Sequence, residues 1–217
     1  MLKLQKISHM KQFKMLSTVA LIFIFSSINA QLSEGPFEQL IVRGATLING
    51  NGAPPIGPVD VVVEKNIIKE VSVVGYPGVE IDPKKRPPLR AGGKEIDAHG
   101  MFLLPGFIDM HGHIGGVDQG ADWDYVFNLW LAHGITTARE PSGRGRDWTL
   151  DLKKRSEKNE IIAPRIIQYT GFGQGSKYEI STPEQARQWV RENAKAGSDG
   201  IKFFGAAPEI MEAALDE

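Results

Sequence analysis

The spacing of apolar and polar residues changes character twice along this chain, and the two changes divide it into three parts. The first part is a largely apolar block, 15–25, preceded by Lys3, Lys6, Lys11 and Lys14 and followed by small and polar residues around Ala30. That is the layout of a secretory signal peptide over residues 1–30. The apolar block falls well short of the about 20 residues that cross a bilayer as a helix, so no stable membrane insertion is expected after cleavage. A short polar leader, 31–37, comes next.

In the second part, 38–104, short β-branched runs are separated by turn residues. "LIVRGATLINGNG" (40–52) predicts two short strands around Gly44, closing in an Asn-Gly turn. "VDVVVEKNIIKEVSVVG" (59–75) predicts a hairpin broken at Glu64, Lys65 and Asn66. Residues 76–93 are rich in Pro, Gly and basic side chains and show no apolar period, which predicts an exposed loop whose charges serve solvation. "KEIDAHGMFLLPG" predicts a second strand pair turning at 98–100. Together these make a small β module, with His99 exposed in its turn.

Pro105 and Gly106 open the third part, where strand-like and helix-like stretches alternate to residue 217. The helix around "TPEQARQWVRENAKAG" has marked ends. Thr182 can cap it, Pro183 suits its first turn, Gln185 completes a capping box, and Gly197 can end it left-handed. Four strands each followed by a helix imply a parallel sheet with right-handed crossovers. "IIQY" and "GIKFF" are apolar on both faces, as covered parallel strands must be. A closed eight-unit barrel takes about 250 residues. Residues 105–217 therefore predict an α/β fold holding the N-terminal half of a (β/α)8 TIM-type barrel, about four β/α units, and the last helix reaches Glu217 without a closing turn. The aromatics Trp123, Tyr125, Phe127 and Trp130 are spaced to pack a helix onto that sheet.

Composition narrows the chemistry. Lys and Arg number 25 against 26 Asp and Glu, a formal net charge of -1. No broad positive field exists to attract phosphates, which argues against nucleic acid. The chain has no cysteine. A thiolate nucleophile and a lipid-attachment cysteine are excluded, and any metal must be held by nitrogen and oxygen donors.

The chain holds only five histidines. Two of them, His111 and His113, stand two apart at the end of the first barrel strand, in "FIDMHGHIGG". On a strand they would share a face, close enough to reach one ion at the ~2.0 to 2.1 Å of a Zn–N bond. Spacing alone leaves three readings open: a metal site, a pair of structural histidines, or part of a site completed elsewhere. Gly112 lets the backbone crowd its neighbours, and Gly115 and Gly116 let the chain turn sharply. Asp109, on the same face by alternation, either orients a ligand or takes a hydrogen bond. His133 ends the first barrel helix, where an imidazole favours the negative end of the dipole. "GFGQGSKYE", after the third barrel strand, is a weak phosphate signal but a plausible substrate-contacting loop at the catalytic end of a barrel.

The segment Pro105–Gly106–Phe107–Ile108–Asp109 followed by His111 and His113 resembles the first barrel strand of the amidohydrolase superfamily. "LIVRGATLING" is similar to that superfamily's small sandwich, and "GITTARE" (134–140) to the second barrel strand of its imidazolonepropionase-like and prolidase-like branches. The resemblance implies one or two divalent metal ions, zinc foremost, with His111 and His113 as ligands. It also places Lys202, in "GSDGIKFFG", where binuclear members carry a carboxylated lysine bridging two metals. An ammonium ion inside an apolar strand is costly, and a neutral amine can add carbon dioxide to become an anionic ligand. The other reading of Lys202 is a side chain whose head reaches solvent.

The activity implied by the resemblance is hydrolysis of a carbon–nitrogen bond other than a standard peptide bond in a small-molecule substrate, by a metal-activated hydroxide. An Xaa-Pro dipeptide is the alternative substrate. Two further histidines and a general-base aspartate would come from later strands that the sequence does not contain. The 217-residue chain is therefore expected to be inactive alone, as an incomplete hydrolase or as a non-catalytic secreted remnant. A one-metal deaminase is a third possibility, against which Lys202 speaks. The expected address is the periplasm or the cell exterior.

Overall fold

The computed structural model describes residues 35–116 and 120–217; the signal-peptide reading lies outside the described residues. Residues 37–217 form one compact unit. No helix among the described residues is long and apolar enough to cross a membrane.

The first portion is a five-stranded mixed sheet. Of the strands β1 (Gln39–Leu47), β2 (Ile56–Glu64) and β3 (Ile67–Val73), β2 runs antiparallel to both β1 and β3, and β2 and β3 form the predicted hairpin. Strands β4 (Lys94–Asp97) and β5 (Phe102–Leu103) both pair with β1 and run parallel to it. They are therefore not the hairpin that the turn at 98–100 suggested. Their backbone groups find partners on β1, which local sequence cannot announce. Residues 40–47 belong to one strand instead of two, with Gly44 at φ +74° marking an irregularity in its register against β2. Among the described residues this portion forms one sheet, where a β-sandwich has two; its core is Ala45, Val59, Val61 and Ala98.

The loop 76–93 holds a second departure. Asp60, fully buried in the middle of β2, accepts hydrogen bonds from Arg86 at 2.8 and 2.9 Å, from Arg43 at 2.9 Å and from the Gly44 N–H at 2.9 Å. Burial alone would push the Asp60 carboxyl up, but the bonds from Arg86, Arg43 and Gly44 outweigh it and hold the group below its ordinary value. Arg86 thus pins the loop to the sheet, while its neighbours Lys84 and Lys85 remain exposed, as expected of solvating charges.

Beyond Pro105 lies a wholly parallel sheet in the order β6–β7–β8–β9: β6 (Phe107–Asp109), β7 (Ile135–Pro141), β8 (Arg165–Gly171) and β9 (Gly200–Lys202). Each is followed by a helix: α1 (Trp123–Ala132), α2 (Arg146–Glu157), α3 (Pro183–Ala196) and α4 (Pro208–Asp216). Alternate residues of β8, Ile166, Gln168 and Thr170, are buried. Ile166 packs with Phe127, Leu152 and Ile114, a core joining α1, α2 and the segment after β6. A second core under α3 and α4 is built from Ala186, Ile210, Ala213 and Ala214. Thr182 caps α3 through the Gln185 N–H, the capping box is complete, and Gly197 ends the helix at φ +103°. Tyr125, expected in the core, is 61% exposed, because the buried stripe of α1 runs through Phe127 with Trp123 and Trp130 beside it. On the outermost strand β6, Phe107 and Ile108 are also exposed.

Candidate metal and active site

The two histidines lie just past a strand, not on it. β6 ends at Asp109 because the Asp109 Oδ1 accepts the His111 N–H at 2.9 Å, a side-chain turn that takes the backbone out of the sheet ladder. Asp109 thus takes a hydrogen bond, the second of its two readings. The segment beyond is held at several points. The Gly112 N–H donates to the Arg139 carbonyl of β7 at 3.1 Å, and the Arg139 Nε donates to the Met110 carbonyl at 2.6 Å. Ile114, 1% exposed, anchors the segment in the core. A Cβ on Gly112 would stand 2.8 Å from the Trp130 ring, so only glycine lets the chain pass so close to α1. Gly115 and Gly116 take φ +84° and +142°, the sharp turn expected of them.

This scaffold brings the imidazoles of His111 and His113 together, ring centroids 5.4 Å apart and planes at 78°. His113 has a further partner: its Nδ1 lies 2.8 Å from Oε1 of Glu140, whose side chain is 1% exposed, and Oε2 of Glu140 accepts the Ile114 N–H at 2.5 Å. Nε2 is the nitrogen left for a ligand. Sequence reading missed Glu140, although it falls inside the segment "GITTARE". A charged residue near the C-terminal end of a parallel strand, where neighbours bury it, was the available signal. The donor set fits two positions of a nitrogen/oxygen metal site. Among the described residues no group of three or more His, Asp or Glu could hold an ion.

Lys202 ends β9, at the same C-terminal end of the parallel strands as the histidine pair. Strands β7 and β8 separate β6 from β9, about 14 Å across a flat sheet at the usual ~4.8 Å strand spacing, so only curling brings the two together. Lys202 is half-buried, and its ammonium lies 5.6 Å from the ring centroid of Phe204. No hydrogen bond joins it to either histidine among the described residues. His133 caps α1, its Nδ1 2.8 Å from the Leu129 carbonyl, and His99 is exposed, each as expected. In the loop after β8, Gly175 makes room for the Arg146 guanidinium, 2.5 Å from where a Cβ would stand, and the Gln174 side chain bonds the Gly171 N–H and the Gly143 carbonyl.

No protein-family model and no curated protein matches the sequence. Solved structures of amidohydrolase-superfamily members do match in fold. A Bifidobacterium longum protein assigned as a prolidase is 23% identical with a TM-score of 0.62, over 84% of this chain and 47% of that one. Molinate hydrolase is 18% identical with a TM-score of 0.60, over 84% and 52%. Phenylurea hydrolase B is 15% identical with a TM-score of 0.59, over 82% and 52%. The chain spans about half the length of these structures.

Proposed function

We propose that this chain is the N-terminal part of an exported, metal-dependent hydrolase of the amidohydrolase superfamily, cleaving a carbon–nitrogen bond in a small molecule. The observation that carries the reading is the imidazole pair His111 and His113, held past the end of a parallel strand with the Nδ1 of His113 committed to a buried carboxylate. That is how ligating histidines are held in metal sites. The parallel sheet with its four following helices is read as half of a (β/α)8 barrel, and such barrels carry their chemistry at the strand ends where the pair sits.

His111 and His113 would supply two ligands. Lys202 is the candidate third, as a carbamate formed when its neutral amine adds to carbon dioxide and releases one proton. A divalent ion bound there, zinc foremost, would polarise a substrate carbonyl and make water nucleophilic near neutral pH. Two fold neighbours are named for a phenylurea and for Xaa-Pro dipeptides, and both substrate types are candidates here. A second reading, a chain that binds metal or a partner without turnover, draws on the ligand count: two histidines leave a tetrahedral ion underligated.

The test is metal content. After loading with zinc or cobalt and exhaustive dialysis, the parent chain should retain ion, and a His111→Ala, His113→Ala double variant should retain none. Equal retention by the two would remove the pair as ligands and the hydrolase reading with them.

A further inference from the structure

Glu140 does more than fill space beside His113. We propose that it is a positioning residue that fixes the tautomer of His113, and that its place demands a carboxylate because two acceptors are needed at once. The inference rests on the metal-site reading above, but its first measurement does not.

The geometry sets the proton. The Ile114 N–H is a donor and nothing else, and it points at Oε2 of Glu140 from 2.5 Å. The other oxygen, Oε1, is 2.8 Å from Nδ1 of His113. An ionised carboxylate only accepts, so the ring proton sits on Nδ1 and the lone pair is left on Nε2. Neutral imidazole in that form is what a metal takes. Space is reserved for the group as well. A Cβ on Gly143 would stand 2.7 Å from the Glu140 carboxyl carbon and from Oε1, so the turn after β7 passes where only glycine leaves the carboxylate in place.

Glutamine has the same shape but cannot do the same work. It offers one acceptor and one donating NH2. With its oxygen toward Ile114, the NH2 faces Nδ1, which must then accept, and the ring proton moves to Nε2. With its oxygen toward His113, the NH2 faces the Ile114 N–H, donor against donor in a buried site. The first arrangement satisfies both hydrogen bonds and closes the metal-facing nitrogen.

The experiment is 15N NMR of the histidine-labelled, metal-free chain at a pH where imidazole is neutral, and then metal titration. His113 of the parent should show a protonated Nδ1 and a bare Nε2. Glu140→Gln should reverse them, and zinc or cobalt affinity should fall by about 10- to 100-fold, the usual cost of losing such a partner. A parent spectrum with Nε2–H overturns the proposal without any variant, which covers a Glu140→Gln chain that fails to fold. A folded variant that keeps the Nδ1–H form overturns it too, whether or not metal is lost. If the parent binds no metal but shows the predicted tautomers, the hydrolase reading fails and the role of Glu140 in setting His113 stands.

Discussion

Replacing Gly112 by alanine tests how the histidine pair is seated. The backbone at Gly112 is not left-handed, so alanine suffers no conformational penalty there. The obstacle is space alone: the new methyl would meet Cζ2 of Trp130 at 2.8 Å and Oδ2 of Asp109 at 3.1 Å. Trp130 cannot simply retreat, because its ring packs on Phe127, which is fully buried. Overpacking of this kind costs about 1–3 kcal/mol. Urea unfolding monitored by circular dichroism should register that loss for Gly112→Ala. In a Trp130→Leu background the penalty should shrink by about half or more, since residues in direct contact couple by roughly 0.5–3 kcal/mol. Metal retention should fall in the alanine variant and recover with the double change. A Gly112→Ala chain as stable as the parent, or one whose penalty is untouched by Trp130→Leu, refutes this seating of the pair.

Two further outcomes are expected. Asp60→Asn should destabilise the chain at neutral pH by about 3 kcal/mol, the low end for breaking a buried ion pair because Arg43 and Arg86 keep some water. Since the Asp60 carboxyl is held below its ordinary value, its contribution is complete above the unfolded-state value, about 3.9, and is lost as pH falls through the lower folded-state value. The gap in unfolding free energy between parent and variant should therefore stay flat from neutral pH to about pH 4 and close only below; closure between pH 6 and 4 would contradict the assignment. Thr182→Ala should cost about 1 kcal/mol by removing the cap of α3, and Thr182→Ser should restore most of it in the same unfolding assay.

What could be read from the sequence was whatever is decided within a few residues. Thr182, Gln185 and Gly197 announced both ends of α3, and Glu64, Lys65 and Asn66 announced the turn of the β2–β3 hairpin. The histidine pair itself was legible from its spacing and its place after an apolar run. What escaped was set by partners distant in sequence. Arg86 looked like one more solvated charge because Asp60 lies 26 residues away. Glu140 drew no attention because His113 lies 27 residues away. β4 and β5 looked like each other's partners because nothing nearby names β1. Even the end of β6 turned on one local hydrogen bond, from His111 to Asp109, that strand alternation does not anticipate.

The neighbour order of the parallel sheet, β6–β7–β8–β9, is the order of synthesis. Each strand after β6 therefore follows its partner in the chain, unlike β1, which pairs with β4 and β5 from about fifty residues later. Such a sheet can be laid down vectorially, with each helix docking before the next strand arrives.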